Sequence, residues 1–488
     1  MTAPSHQDNV AERFMRGDTA ARLDLARDPA AADALRGLLG RTAFEELREI
    51  AGPAQGDHLA DDGPANMIFV PGVMGSYLAS EALGGMWWID ILSRSHINNL
   101  ALAPHGLTDI DPRFKVEPVT VAPTYTGFLA AAMRRPNLSH RTFAYDWRKP
   151  LHVSADKLHD RITTTPADAS HGQPVHLVAH SMGGLVVRTA LMRHPDLWNR
   201  IGKIVFLGTP HYGSPSIGGY LKNHLWGFDK LALLGRYLSR DTFRSLHGVM
   251  SLLPAPTGVY PGTEETEPGT EYDHPCANFD LYDASAWHLD LSTPQELALQ
   301  DILNAAAQHH RDLNEWHLAL DQNQRDRMTV IAGTGLKTLF RLAYNRRLGF
   351  LWHHMERTTA RTPHNPHGES DGRVPLASAQ LPYIAETRYT HTEHGKLPDH
   401  AAVQNDVWNA LADKPLRLAT SSAAALDDHL ADSGIQPHAL AMPQLPMPRT
   451  PDDPGYLDFD PPSPERLDQL EKELDAGNLP DFQRLRLL

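Results

Sequence analysis

The chain has 488 residues, 41% hydrophobic and 21% charged, which is enough for one large α/β domain with an elaborated cap or for two to three domains. Its net charge is −14 and no Lys/Arg-dense stripe interrupts that balance, so nucleic acid is not expected as a partner. The lone Cys276 excludes an intrachain disulfide framework. The start of the chain lacks a basic stretch followed by an apolar core, and no run approaches the roughly 18 apolar residues that span a bilayer, so a cytoplasmic protein is expected.

Residues 1–60 read as helical. Leu23, Leu25, Leu35, Leu38, Leu39, Phe44, Leu47 and Ile50 fall at the i, i+3/i+4 spacings of amphipathic helices. This segment could dock on the core, bind a protein partner or serve as an adaptor. Gly52-Pro53 and Gly63-Pro64 bracket a linker into the first strand, Met67–Val70. Strand and helix then alternate, as in a mostly parallel sheet. The further strands expected are Thr142–Tyr145, Val175–Ala179, Lys203–Leu207, Thr329–Ala332 and Glu386–Thr390. The helices are Gly127–Met133 and Gly183–Arg193.

Some 120 residues separate Gly208 from Met328, where a minimal fold of this kind needs one helix. The stretch from about 211 to 327 therefore reads as a cap. Its Leu225-Trp226-Gly227-Phe228, Leu231–Leu234 and Ser251–Pro254 clusters suit an acyl groove, an interfacial surface or the cap's own core. Trp87-Trp88 read either as lid-facing aromatics or as core packing. Asp146-Trp147-Arg148 should brace loops by a salt bridge and ring packing. Residues 416–488 form a Pro-rich tail, flexible and extended, with a short charged helix near 466–474 and a second candidate surface for a protein partner.

The chemistry concentrates at Ala179-His180-Ser181-Met182-Gly183, directly behind the apolar run Val175–Val178. A buried strand breaking into a small-residue turn with a central serine is a nucleophile elbow, a turn that exposes the serine hydroxyl. Ala179 stands where glycine is usual. Met67–Ser76 is a strand closed by Pro71-Gly72, a turn whose backbone N–H groups can face a ligand. The two oxyanion donors are assigned to the backbone of Val73 and Met182. Asp371 in Ser370-Asp371-Gly372 supplies a carboxylate downstream of the serine, and His394, 23 residues further on, follows the last strand and precedes Gly395. His391 and His400 compete with His394 for the role of base. Met74, Trp87, Trp88, His180 and Tyr212 are candidates for the substrate pocket. The pairs His353-His354 and His364/His367 lack a supporting carboxylate spacing, so neither metal nor cofactor is expected.

Taken together, Val70–Ser76, Tyr145–Arg148, His180–Gly184, Gly208-Thr209-Pro210, Asp371–Pro375 and His394 resemble the lecithin:cholesterol acyltransferase family, a branch of the α/β-hydrolases. The likeness runs from about Asn66 to Ala412. It implies a hydrolase domain over 61–415, Ser181 as nucleophile, Asp371 as acid, His394 as base and an oxyanion hole at Val73 and Met182. Ser370 departs from the glycine that often precedes the aspartate. Vertebrate members use disulfides, which one cysteine cannot form, so sterol transfer is not carried over.

The expected activity is that of a serine esterase or lipase, hydrolysing or transferring the acyl group of lipid or phospholipid esters, with peripheral membrane contact through the cap. Two rivals stand beside it. One is a lipid-directed effector or defence phospholipase with the same triad, marked by host toxicity that disappears with Ser181→Ala. The other is a non-catalytic binding module on a hydrolase fold, which a fluorophosphonate probe would not label.

Overall fold

Every residue of the strand Val175–His180 is buried, with no exposed face, as a strand inside a sheet covered on both sides requires. The computed structural model describes residues 6–39, 41–52, 65–88, 96–135, 138–164, 174–221, 238–265, 272, 274–336, 338, 341–346, 353–358, 370–432 and 472. Its strands are β1 (Ala65–Val70), β2 (Ser76–Ser80), β3 (Met86–Trp88), β4 (Val116–Val121), β5 (Leu138–Thr142), β6 (Val175–His180), β7 (Ile201–Leu207), β8 (Met328–Gly333), β9 (Arg341–Arg346), β10 (His353–Thr358) and β11 (Glu386–Thr390). The central sheet runs β11-β8-β7-β6-β1-β5 and is parallel throughout. Two antiparallel sheets, β3-β2-β4 and β10-β9, flank it.

Side chains alternate across the sheet with period two. Ile68, Val70, Leu177, Ala179, Ile204 and Phe206 face α6 (Leu151–Thr163), α7 (Met182–Arg193) and the helix Thr293–Ala319. Met67, Phe69, Val178, Val205 and Leu207 face α5 (Thr126–Met133) and the helix Ala401–Leu411. Helices thus cover both faces, and this is an α/β-hydrolase fold.

The chain passes from β1 to β5 on one side, then crosses back to β6 on the other. Connections leaving β1 and β6 therefore diverge, and a crevice opens at their carboxyl ends. Pro71-Gly72 and Ser181 lie on its two sides.

Five of the six expected strands match in place. Thr142–Tyr145 does not: the strand is Leu138–Thr142. As an edge strand β5 tolerates the polar Ser139, His140 and Arg141, which hid it. Beyond Phe143 the chain leaves the sheet to anchor on Ser76, whose Oγ accepts from Tyr145 N–H at 3.1 Å and whose carbonyl accepts from Trp147 Nε1 at 3.1 Å.

Residues 6–51 form α1 (His6–Arg16), α2 (Thr19–Arg27), α3 (Ala32–Leu39) and α4 (Arg41–Ala51), with a core of their own that Ala130 of α5 joins. Buried Arg22 ties this bundle to the hydrolase: Nη1 donates to Val121 O at 2.7 Å and Nε to Phe14 O at 3.0 Å. Burial lowers its guanidinium to about 10, still charged at neutral pH.

In the insertion, Leu246, Val249, Met250, Leu252, Leu253 and Trp287 belong to the same core as α7, so its described part is continuous with the hydrolase rather than separately packed. The cluster 225–234 lies outside the described residues. The Ala/Ser-rich start of the tail, expected to be extended, is a helix over Ser422–Asp432 in which Ala425 is buried, as alanine's helix preference favours. The proline-rich stretch and the segment 466–474 fall outside the described residues, apart from Lys472. Among the described residues no helix is long and apolar enough to cross a membrane.

Candidate active site

Ser181 occupies the turn between β6 and α7 with φ +54° and ψ −129°, a conformation that costs a non-glycine residue about 1–3 kcal/mol. The surroundings hold it there. Ser181 N–H donates to Leu207 O at 2.9 Å, continuing the β6–β7 ladder past its end. At Gly183 a Cβ would lie 2.4 Å from Val70 O, and at Gly184 one would lie 2.1 Å from Thr209 Oγ1, so the helix can approach β1 and the 209 turn only with glycine at both. The hydroxyl is not exposed as expected from a surface turn: Ser181 is wholly buried, and its Oγ has no hydrogen-bond partner among the described residues.

Asp371 and His394 meet across the ends of β8 and β11. His394 Nδ1 lies 2.6 Å from Asp371 Oδ2, both side chains being buried. The other carboxylate oxygen accepts from Arg373 N–H at 3.0 Å and Val374 N–H at 2.8 Å, the Asx pattern that the Asp-Gly turn allows. His394 N–H donates to Asp371 O at 2.8 Å, so backbone and side chain are joined. His394 Nε2, like Ser181 Oγ, has no partner among the described residues. In substrate-free hydrolases the serine–histidine bond is often long and tightens on binding. Ser370 is no mere stand-in for glycine: its Oγ donates to Leu336 O at 2.8 Å and accepts from Gly372 N–H at 2.9 Å, stapling the acid turn.

Met182 is the first residue of α7, where a helix leaves its amides without an internal acceptor and its dipole favours negative charge. Val73 follows Gly72 in the turn after β1. A Cβ at Gly72 would lie 2.9 Å from Ser181 Cβ, 3.2 Å from Tyr125 Oη and 3.3 Å from His180 Nδ1. Gly72→Ala is therefore expected to displace the oxyanion turn and lower turnover by about 10²-fold, as a 1 Å misplacement typically does. Steady-state kinetics beside a thermal melt would check this, since the loss should exceed any change in folding.

The pocket candidates divide. Trp88 Nε1 donates to Met74 O at 3.2 Å and its ring meets Trp147 edge-on, so Trp88 braces the turn after β1. Tyr212 N–H donates to Ser378 Oγ at 3.1 Å. Trp87 stacks on His96 at 4.6 Å and meets Phe114. His180 has both ring nitrogens within hydrogen-bond reach of protein groups. Of the competing histidines, His391 packs against the tilted His429 ring at 4.0 Å, while His400 is exposed and precedes the helix Ala401–Leu411. The side chains of His353, His354, His364 and His367 lie outside the described residues.

Tyr125 and Asp109 carry no sequence signal yet belong to the site's frame. Buried Arg148 pairs with Asp146 at 2.7 Å and with Asp109 at 2.9 Å, and Nη1 donates to Leu100 O at 3.0 Å. Burial alone would raise the Asp146 carboxyl, but the Arg148 charge and hydrogen bonds, with Lys149, outweigh it and hold it below the usual range. Cys276 is no rival nucleophile, because burial pushes its thiol up to about 12.

His159, His194 and Asp196 offer ligand atoms within 4.8 Å of one another and could hold a cation. They sit at the far end of α7 from Ser181, and His194 Nε2 already meets Asp156 Oδ1 at 2.8 Å.

Residues 127–345 match the family model for lecithin:cholesterol acyltransferase. The match covers less than half of the chain, which over that span is similar to the family. The matched span holds Ser181, Met182 and Gly208-Thr209-Pro210, whereas Val73, Asp371 and His394 lie outside it. An uncharacterized protein of Saccharomyces cerevisiae, YJR098C, is 22% identical over 210 residues, 41% of this chain and 31% of that protein. The chain thus matches about a third of that relative's length. Among solved structures, the Tle4-Tli4 complex is 13% identical with a TM-score of 0.47, covering 72% of this chain and 98% of the matched one. The mature lipase BlEst2 of Bacillus licheniformis is 16% identical with a TM-score of 0.33, covering 74% and 95%. The peroxisomal α/β-hydrolase Lpx1 of Saccharomyces cerevisiae is 12% identical with a TM-score of 0.27, covering 78% and 87%.

Proposed function

We propose that this chain is a serine esterase or lipase that works through an acyl-enzyme on Ser181. The observation that carries the reading is the buried Asp371–His394 pair at 2.6 Å, beside an elbow serine. Ser181 Oγ attacks the ester carbonyl carbon while His394 Nε2 takes its proton. Asp371 keeps the other ring proton on Nδ1 and stabilises the imidazolium. The N–H groups of Val73 and Met182 receive the oxyanion; one such donor is worth about 2.7–4 kcal/mol. His394 returns the proton to the leaving alkoxide, and water or an alcohol then resolves the acyl-enzyme by the same steps in reverse.

Lipid-like esters are favoured as substrates by the apolar insertion pressed onto the site. A Cβ at Gly248 would lie 3.0 Å from Met182 Cε, so this part of the insertion rests on the oxyanion side. Burial of Ser181 excludes water, which strengthens the oxyanion contacts and gives an alcohol acceptor its chance.

The test is labelling by a fluorophosphonate, followed by a chain-length series of esters assayed with and without micelles. Labelling at Ser181 and a preference for long acyl chains that grows with micelles are expected. No labelling would sink the serine reading. Fastest turnover of acetyl esters would leave a general esterase in place of a lipase.

A further inference from the structure

His180 precedes the nucleophile, and its side chain runs between the two loops that the reaction needs held apart at a set distance. Gly72 N–H donates to Tyr125 Oη at 2.9 Å, Tyr125 Oη lies 2.9 Å from His180 Nδ1, and His180 Nε2 lies 3.1 Å from His394 O. A carbonyl oxygen only accepts, so Nε2 carries the proton toward His394. Nδ1 then accepts the phenol proton, and the phenol oxygen accepts from Gly72. Every link has one donor and one acceptor, and His180 and Tyr125 are both buried. The His180 ring also packs on the His394 ring, centroids 4.8 Å apart and tilted by 41°.

We propose that His180 and Tyr125 are positioning residues forming a strut that sets the base against the oxyanion turn. The proposal rests on Ser181 and His394 as nucleophile and base. His394 is then pinned at both backbone ends, by Asp371 O at its N–H and by His180 at its carbonyl, while its ring is held by Asp371 Oδ2. The strut also engages the Gly72 amide, which leaves Val73 as the donor of that turn to the oxyanion. A residue read from the sequence as facing substrate thus acts through the base instead.

The experiment compares His180→Gln, His180→Asn and Tyr125→Phe in the full chain, by ester kinetics, fluorophosphonate labelling rate and thermal melting. The glutamine amide reaches as Nε2 does and can donate to His394 O, whereas the asparagine amide stops at the Nδ1 position. His180→Asn is expected to lower kcat about 10²-fold with KM within about threefold, since misplaced catalytic groups affect the chemical step. His180→Gln should recover most of that loss, and Tyr125→Phe should lose about tenfold in kcat without a matching change in KM. A role in stability alone would move melting while leaving the kcat of the folded fraction intact. Equal activity of the Gln and Asn variants, or full kcat in Tyr125→Phe, overturns the strut. If neither His180 variant folds, Tyr125→Phe decides by itself. A wild-type chain that takes no label removes the serine reading and the strut with it, an outcome separate from any variant's behaviour.

Discussion

Ser181→Ala is expected to abolish fluorophosphonate labelling and ester turnover while changing folding stability by no more than about 1 kcal/mol. The hydroxyl makes no hydrogen bond to the described residues, so its removal strands no partner and relieves an unsatisfied buried group. Alanine meets the same backbone strain at φ +54° that serine already bears. His394→Ala should match the loss of turnover, at about 10⁴- to 10⁶-fold, because triad members act as a unit. His391→Ala and His400→Ala should be mild, since one ring packs against His429 and the other is exposed. Turnover retained in Ser181→Ala, or a His391 or His400 variant as dead as His394→Ala, would require a different nucleophile or base.

Arg148→Met is expected to cost about 3–5 kcal/mol, the usual result of removing one partner of a buried ion pair. It would leave buried Asp109 without its cation, Asp146 with Lys149 alone, and Leu100 O without its donor. The pH dependence separates this from a simple packing loss. In the wild type the Asp146 carboxyl is held below its usual range. Its contribution is therefore present above the unfolded value near 4 and fades as pH falls below it. In the variant the Arg148 charge and side-chain hydrogen bonds are gone and only Lys149 and the residue-148 amide oppose burial, so the folded value rises. That group then loses stability as pH rises through its raised value. The stability gap between the two proteins should narrow in acid, as denaturant melts from pH 7 to pH 4 would show. A gap constant with pH would mean that the charge is not what Arg148 contributes.

Much of this protein is legible along the chain, because some constraints are local. Val175–Ala179 had to be a buried strand, since four apolar residues of five suit a sheet covered on both faces. Gly183 and Pro71-Gly72 announced sharp turns, and Asp371-Gly372 a third. Ser181, Asp371 and His394 were singled out by residue type and order at such turns, where backbone geometry and chemistry coincide. Tertiary structure decided what depends on meeting across distance. The edge strand Leu138–Thr142 is polar because one flank needs no partner, and no periodicity marks it. Tyr125 reaches His180 across 55 residues and Asp109 reaches Arg148 across 39, contacts set by the crossing of the chain from β5 over β1 to β6. His180 could not be told from a substrate contact until its two nitrogens had partners. Nor could Ser181 be known as buried, because Gly72, which packs against it, is remote in the chain. Local sequence specifies the conformation of each turn, whereas the sheet order brings those turns together and decides which side chains fill the space between them.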